Sequence, residues 1–295
     1  MRYAFKTNPQ DTTWADVLAV WRVADDIELF ESGWTFDHFY PIFSDSTGPC
    51  LEGWITLTAL AQATRRLRLG VMVTGIVYRH PAVLANMAAT LDIVSDGRLE
   101  LGLGAAGNEE ECRAYGIELG TLRQRFDRFD EGVEVIARLL SDTTTTFTGS
   151  YFQLTDARCE PKPVQRPHPP LCIGGAGEKR TLRTVARWAQ HWNMIPPSVE
   201  VWQHKRAVLD THCAAIGRDA REIMTSVQIR LDADADLGPL VDQADAYAEA
   251  GVDLFIVYLQ PPLRPSTPEN VAAALRRRPR PAGRPGPGPE QWDRG

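Results

Sequence analysis

Apolar residues recur along this chain in two alternating rhythms. Short compact runs of three to nine residues give way to stretches with apolar positions at helical spacing, and the exchange repeats along most of the chain. Residues 3–6 read as a first strand. Trp14, Val17, Leu18, Trp21, Ala24 and Ile27 then mark an amphipathic helix, with Asp11-Thr12-Thr13 as caps and Ser32-Gly33 as its stop. Residues 34–36 form a second strand and 54–64 a helix. Residues 67–74 are nearly all apolar, as expected of a strand covered on both faces. A helix at 81–94 closes at Asp96-Gly97, and a fourth strand at 99–103 ends in Gly104-Ala105-Ala106-Gly107. A short polar helix (109–115) precedes a long amphipathic one marked by Leu122, Phe126, Phe129, Val133, Ile136 and Leu140.

Residues 143–154 break the rhythm. Their β-branched threonines, Gly149 and Tyr151-Phe152 predict a hairpin insertion, and the prolines from Pro161 to Pro170 predict an extended connector. The alternation then resumes, with strands at 171–173, 191–194, 223–231 and 254–259. Helices are expected after 181, at 201–216 and 240–250, and a last short one at 270–277. Eight strands alternating with helices imply a parallel sheet, and eight units suggest closure into a (β/α)8 barrel over residues 1–278. A doubly wound sheet is the alternative, with its ligand at a switch point. The Pro, Gly and Arg of 279–295 predict a disordered tail.

Composition narrows the function. The net charge of −6 argues against a broad nucleic-acid or anionic-membrane surface. Five scattered cysteines without a Cys-x-x-Cys pair argue against a disulfide framework or a zinc site, and fit the cytoplasm. No apolar run nears the roughly 20 residues of a membrane span, and residues 2–10 do not read as a signal peptide.

In a barrel, chemistry sits at the C-terminal ends of the strands. Those ends here are rich in glycine and small residues and poor in acids and bases. They offer no catalytic carboxylate pair, no metal-spaced cluster and no Gly-x-Ser-x-Gly. A roomy pocket with one histidine, His38, suits a redox cofactor acting on a small-molecule substrate. His38 reads as a general acid or base, or else as a loop histidine bonded to backbone. His80 before Pro81 reads as a helix cap. The run Leu171-Cys-Ile-Gly-Gly-Ala-Gly-Glu-Lys-Arg180 leads from strand to helix through glycines. It is either a tight turn or a phosphate site on the helix N-terminus. Lys179, Arg180 and Arg183 could neutralise that phosphate or be solvated helix positions. Gly102-Leu-Gly-Ala-Ala-Gly107 spells a dinucleotide fingerprint, but its mid-chain context favours a small-residue floor under a flat ring. Glu109-Glu110-Glu111 reads as the acidic first turn of a helix.

Several stretches together resemble the luciferase-like monooxygenase superfamily, and within it the coenzyme F420-dependent oxidoreductases. They are Ser32-Gly-Trp-Thr-Phe-Asp-His-Phe39, Gly70-Val-Met-Val-Thr-Gly75 with Tyr78-Arg-His-Pro81, Asp96-Gly-Arg-Leu-Glu-Leu-Gly-Leu-Gly104, Cys159-Glu-Pro-Lys-Pro163 and Ile173-Gly-Gly-Ala-Gly-Glu-Lys-Arg180. The resemblance implies a (β/α)8 barrel with an insertion after the fourth strand, a flavin or deazaflavin at its mouth, and a homodimer. It places Asp37 and His38 at the ring and Thr74 at the bulged end of the third strand, where such proteins often hold a non-prolyl cis peptide. It sets Ala105, Ala106 and Glu110 along the cofactor, and Gly175, Ala176, Gly177 and Glu178 around its phosphate. Gly107 departs from the bulky residue common at that point. The function implied is F420-dependent hydride transfer, with an FMN-dependent monooxygenase or a non-catalytic flavin-binding barrel as alternatives.

Overall fold

The computed structural model describes residues 1–276. The expected tail at 279–295 lies outside the described residues. The barrel strands are β1 (Arg2–Thr7), β2 (Phe30–Thr35), β3 (Arg68–Val71) with its continuation β4 (Thr74–Gly75), and β5 (Leu99–Gly104). A two-stranded antiparallel hairpin, β6 (Thr145–Thr148) and β7 (Gln153–Ala157), stands apart. β8 (Leu171–Gly174), β9 (His191–Met194), β10 (Met224–Leu231) and β11 (Leu254–Leu259) complete the sheet. Every neighbouring pair is parallel, β1 joins β11, and β3 and β4 join β5. The expected closed barrel of eight parallel strands is therefore present, and the open sheet is excluded.

The helices α1 (Trp14–Asp25), α2 (Gly53–Ala63), α3 (Pro81–Val94), α4 (Glu109–Ala114), α5 (Leu122–Ser141), α6 (Thr181–Trp188), α7 (Val199–Ala215), α8 (Gly238–Ala250) and α9 (Ser266–Arg276) alternate with the strands. Their starts follow from local chemistry. The Thr13 hydroxyl accepts the Asp16 N–H to open α1, and Thr121 and Gln124 form a reciprocal capping box on α5. His80 caps α3 as expected, its Nδ1 accepting from Ala82 N at 3.2 Å. The predicted helix stop at Ser32-Gly33 is instead the middle of β2. Gly33 is there for space: a Cβ would stand 2.7 Å from the Trp21 ring. A glycine that makes room for a facing indole looks like a punctuation mark in sequence.

The large core lies between strands and helices, and a smaller one fills the barrel with Ala4, Trp34, Met72, Cys172, Met224, Leu254 and Ile256. Below it, at the N-terminal ends of the strands, Glu100 binds Arg68 Nε at 2.9 Å and His191 Nδ1 at 3.0 Å. Burial alone would raise the Glu100 carboxyl, but His191 and Arg68 outweigh it and hold the group down at about 2.

Candidate active site

A cavity of about 540 Å³ opens at the C-terminal ends of the strands. That is within the range of roughly 300–1,000 Å³ for ligand pockets. Its lining comes from β1 (Lys6), the segment after β2 (Asp37, His38), the break between β3 and β4 (Met72, Val73), residues 104–108 after β5, and residues 174–176 after β8. Asn193, Gln228 and Tyr258 close the floor. The break carries a cis peptide between Met72 and Val73, just before Thr74. The glycines of the fingerprint-like stretch admit this break. A Cβ on Gly102 would stand 1.9 Å from Val71 O.

His38 is held by a carboxylate. Its Nδ1 lies 2.8 Å from Glu111 Oε2, and Tyr78 donates its hydroxyl to the same oxygen at 2.9 Å. Glu111 Oε1 accepts the N–H groups of Phe39 and Tyr40 at 2.8 and 3.0 Å. α4 supplies this carboxylate because Asn108 caps its first turn, accepting from Glu111 N at 3.1 Å. The Glu111 side chain is fully buried. Burial would raise its carboxyl, but the bonds from His38 and from the backbone of Phe39 and Tyr40 bring it below the ordinary value. An ionised Glu111 can only accept, so the geometry assigns the Nδ1 proton to His38 and leaves Nε2 as the second functional atom of the ring. Tyr78 stays a phenol, because burial and Glu111 raise it far above neutrality.

Asp37 lines the same cavity but is committed to Arg79, whose guanidinium donates to its two oxygens at 2.7 and 3.1 Å. Arg79 also binds Glu52. Asp37 thereby fixes the segment that presents His38.

The loop after β8 has the shape of an anion cradle. Gly175, at φ +121°, gives its N–H to Asn193 O at 2.9 Å. The N–H groups of Ala176, Gly177 and Glu178 have no acceptor among the described residues. Of the three cations that follow the loop, Arg180 is committed, binding Asp127 and Asp130 at 2.8 and 2.7 Å.

Asp37, His38, Ala105, Ala106, Gly175 and Ala176 are thus brought to one cavity. Gly177 and Glu178 continue the loop, with the Glu178 carboxylate turned to Lys205 and His204 at 2.6 and 2.9 Å. Thr74 is buried, its hydroxyl accepting from Trp54 Nε1 at 2.9 Å. Glu110 sits on the surface and accepts from Ser46 at 3.1 Å. Sequence reasoning missed Glu111, Tyr78 and Lys6. Glu111 was absorbed into an acidic first turn, and Lys6 into the end of a strand. A charged residue closing the apolar run Tyr3-Ala4-Phe5 was the available signal for Lys6. Among the described residues no group of three or more His, Cys, Asp or Glu could hold a metal.

The sequence matches the family described as luciferase-like monooxygenase over residues 4–288. An uncharacterised protein of Mycobacterium tuberculosis is 29% identical over 202 residues, covering 68% of this chain and 67% of that protein. The F420-dependent hydroxymycolic acid dehydrogenase of M. tuberculosis is 31% identical over 164 residues, which is 55% of this chain and 44% of that enzyme. Among solved structures, an F420-dependent secondary alcohol dehydrogenase in complex with an F420-acetone adduct superposes with a TM-score of 0.83 at 20% identity. The match covers 93% of this chain and 98% of that one.

Proposed function

We propose, from the premise that this chain belongs to the luciferase-like monooxygenase family, that it is an F420-dependent oxidoreductase acting on a small organic substrate. The observation that carries the reading is the His38–Glu111 pair at a cavity lined in part by the small residues 104–107. The residues fit a flat ring with a phosphate tail. Residues 104–107 offer little side-chain bulk, and the loop at 175–178 offers unspent N–H groups to an anion. F420, when bound, supplies the hydride acceptor or donor. His38 holds the proton balance: with Nδ1–H on Glu111, Nε2 takes the proton of a substrate hydroxyl as it is oxidised, or returns one to a carbonyl being reduced. Glu111 keeps the ring in one tautomer and stabilises the imidazolium that forms, and the pair of Asp37 and Arg79 keeps the segment from drifting.

The FMN-dependent monooxygenase is the second reading, favoured by the family description itself. Titration of the purified protein with F420 and with FMN separates the two. Tight binding of F420 with weak binding of FMN is expected, and the reverse would install the second reading. Ala176→Asp puts a carboxylate where the phosphate is to sit. A like-charge contact at about 4 Å and an effective dielectric constant of about 20 is worth roughly 4 kcal/mol, so affinity should collapse. Unchanged affinity would remove the loop from the site.

We place the protein in the cytosol, where five free thiols are at home. No helix of the described residues is long and apolar enough to cross a membrane. A homodimer is part of the proposal. Ile55, Val83 and Val94, exposed on α2 and α3, support it. Sedimentation as a monomer would end it.

A further inference from the structure

Lys6 sits at the end of β1 with 5% of its surface exposed, and it lines the cavity. Its ammonium has three donors. One goes to Met72 O and one to Gln228 Oε1, each at 3.0 Å. Both acceptors are neutral. The ring of Tyr258 lies 4.8 Å away. No carboxylate pairs with Lys6 among the described residues, since Asp37 is taken by Arg79 and Glu111 by His38. A buried cation without a counter-charge is costly, and burial accordingly lowers Lys6 to about 7.

The fold nevertheless goes to some length to keep this group where it is. Gln228 Nε2 donates to Asn193 Oδ1 at 2.6 Å, and Asn193 Nδ2 donates to Ser226 Oγ at 2.7 Å. Ser226 Oγ lies 2.7 Å from His191 Nε2, and His191 Nδ1 reaches Glu100. With His191 Nδ1–H donating to the ionised Glu100, Nε2 accepts the Ser226 hydroxyl. Every donor in the chain then points from the cavity floor towards the carboxylate at the base of the barrel. That polarity fixes the Gln228 amide with its oxygen towards Lys6, so the ammonium form, which a ligand oxygen favours, keeps one N–H unspent.

We propose that Lys6 is a ligand-binding residue whose third N–H takes a carbonyl or oxyanion oxygen of whatever occupies the cavity. The proposal rests on the redox reading of this site and deepens it, because it selects for an electron-rich oxygen at the cavity floor. Two sources carry that oxygen: the carbonyl edge of the flavin or deazaflavin ring, and a carbonyl or alkoxide of the substrate.

The chain has four lysines, Lys6, Lys162, Lys179 and Lys205, so protein labelled with 13C at lysine Cε gives a resolvable NMR spectrum. Lys6→Met assigns the Lys6 signal, and its titration in wild-type protein assigns it independently should the variant not fold. F420, FMN, acetate and acetone are then added separately, with ring binding followed by the ring's own absorbance. A Lys6 signal that moves with the ring, together with ring affinity about tenfold or more weaker in Lys6→Met, makes the ring the source. A signal that ignores the bound ring but moves with acetone or acetate makes the substrate the source. A signal unmoved by all four probes, with Lys6→Met binding the ring as wild type does, overturns the proposal. Failure of wild-type protein to bind either ring sinks the cofactor reading alone, because acetate and acetone still report on Lys6.

Discussion

The two ends of the barrel are built from the same kinds of side chain and use them in opposite ways. At the N-terminal end, Arg68 and His191 both donate to the Glu100 carboxylate. At the C-terminal end, His38 and Lys6 are each pinned by partners on one side and left with a polar atom to spare on the other. Closed networks stabilise a fold, whereas a site needs polar atoms whose partner is still to come. The prediction is that damage at the two ends should show up in different measurements.

The largest separation is expected at His38. His38→Ala should slow hydride transfer by about 10²–10⁴-fold in stopped-flow experiments while leaving cofactor affinity near wild type. A variant reacting at the wild-type rate would return His38 to a structural role. Glu100→Ala is the counterpart. It removes the carboxylate that Arg68 and His191 share, and breaking a buried pair on one side costs about 3–5 kcal/mol, read as a lower urea midpoint. Acid sharpens this test. The ordinary carboxyl value of 4.5 falls to about 2 for Glu100 in the fold, so its stabilisation is complete above the unfolded value. It is lost as pH drops through the folded one, an amount of about 3 kcal/mol. Equal acid sensitivity in wild type and variant would contradict the closed network. The smallest effect is expected at Glu111. In Glu111→Gln the amide can donate to Nδ1 and select the other tautomer, so kcat should fall by roughly ten- to a hundredfold, part of the His38 effect. An unchanged kcat would make the carboxylate a backbone anchor alone.

The difference between the ends also explains what was legible in sequence. The barrel was readable because strand and helix periods are local, and the hairpin because threonines and Gly149 gather at one place. His38 was readable because it stands alone at a strand end poor in acids and bases. Its partner was not, for Glu111 lies 73 positions away and shares a first turn with Glu109 and Glu110. Nothing in three consecutive glutamates says which one turns inward; the cap at Asn108 and the helix direction decide that. Lys6 and Gln228 are 222 positions apart, a distance bridged only by closure of the barrel. Gly33 misled because one letter serves both turns and close approaches.

Gly107 has an evolutionary consequence. It lines the cavity, and a Cβ added to it would meet nothing nearer than Arg125 Nη1 at 4.0 Å. The scaffold neither needs that space nor defends it, unlike the space at Gly102, where backbone stands in the way. A first side-chain carbon can therefore be added at residue 107 without a steric cost to the barrel below. Selection for a new substrate has an unguarded door at that position, and the lineage can remodel its pocket there one step at a time.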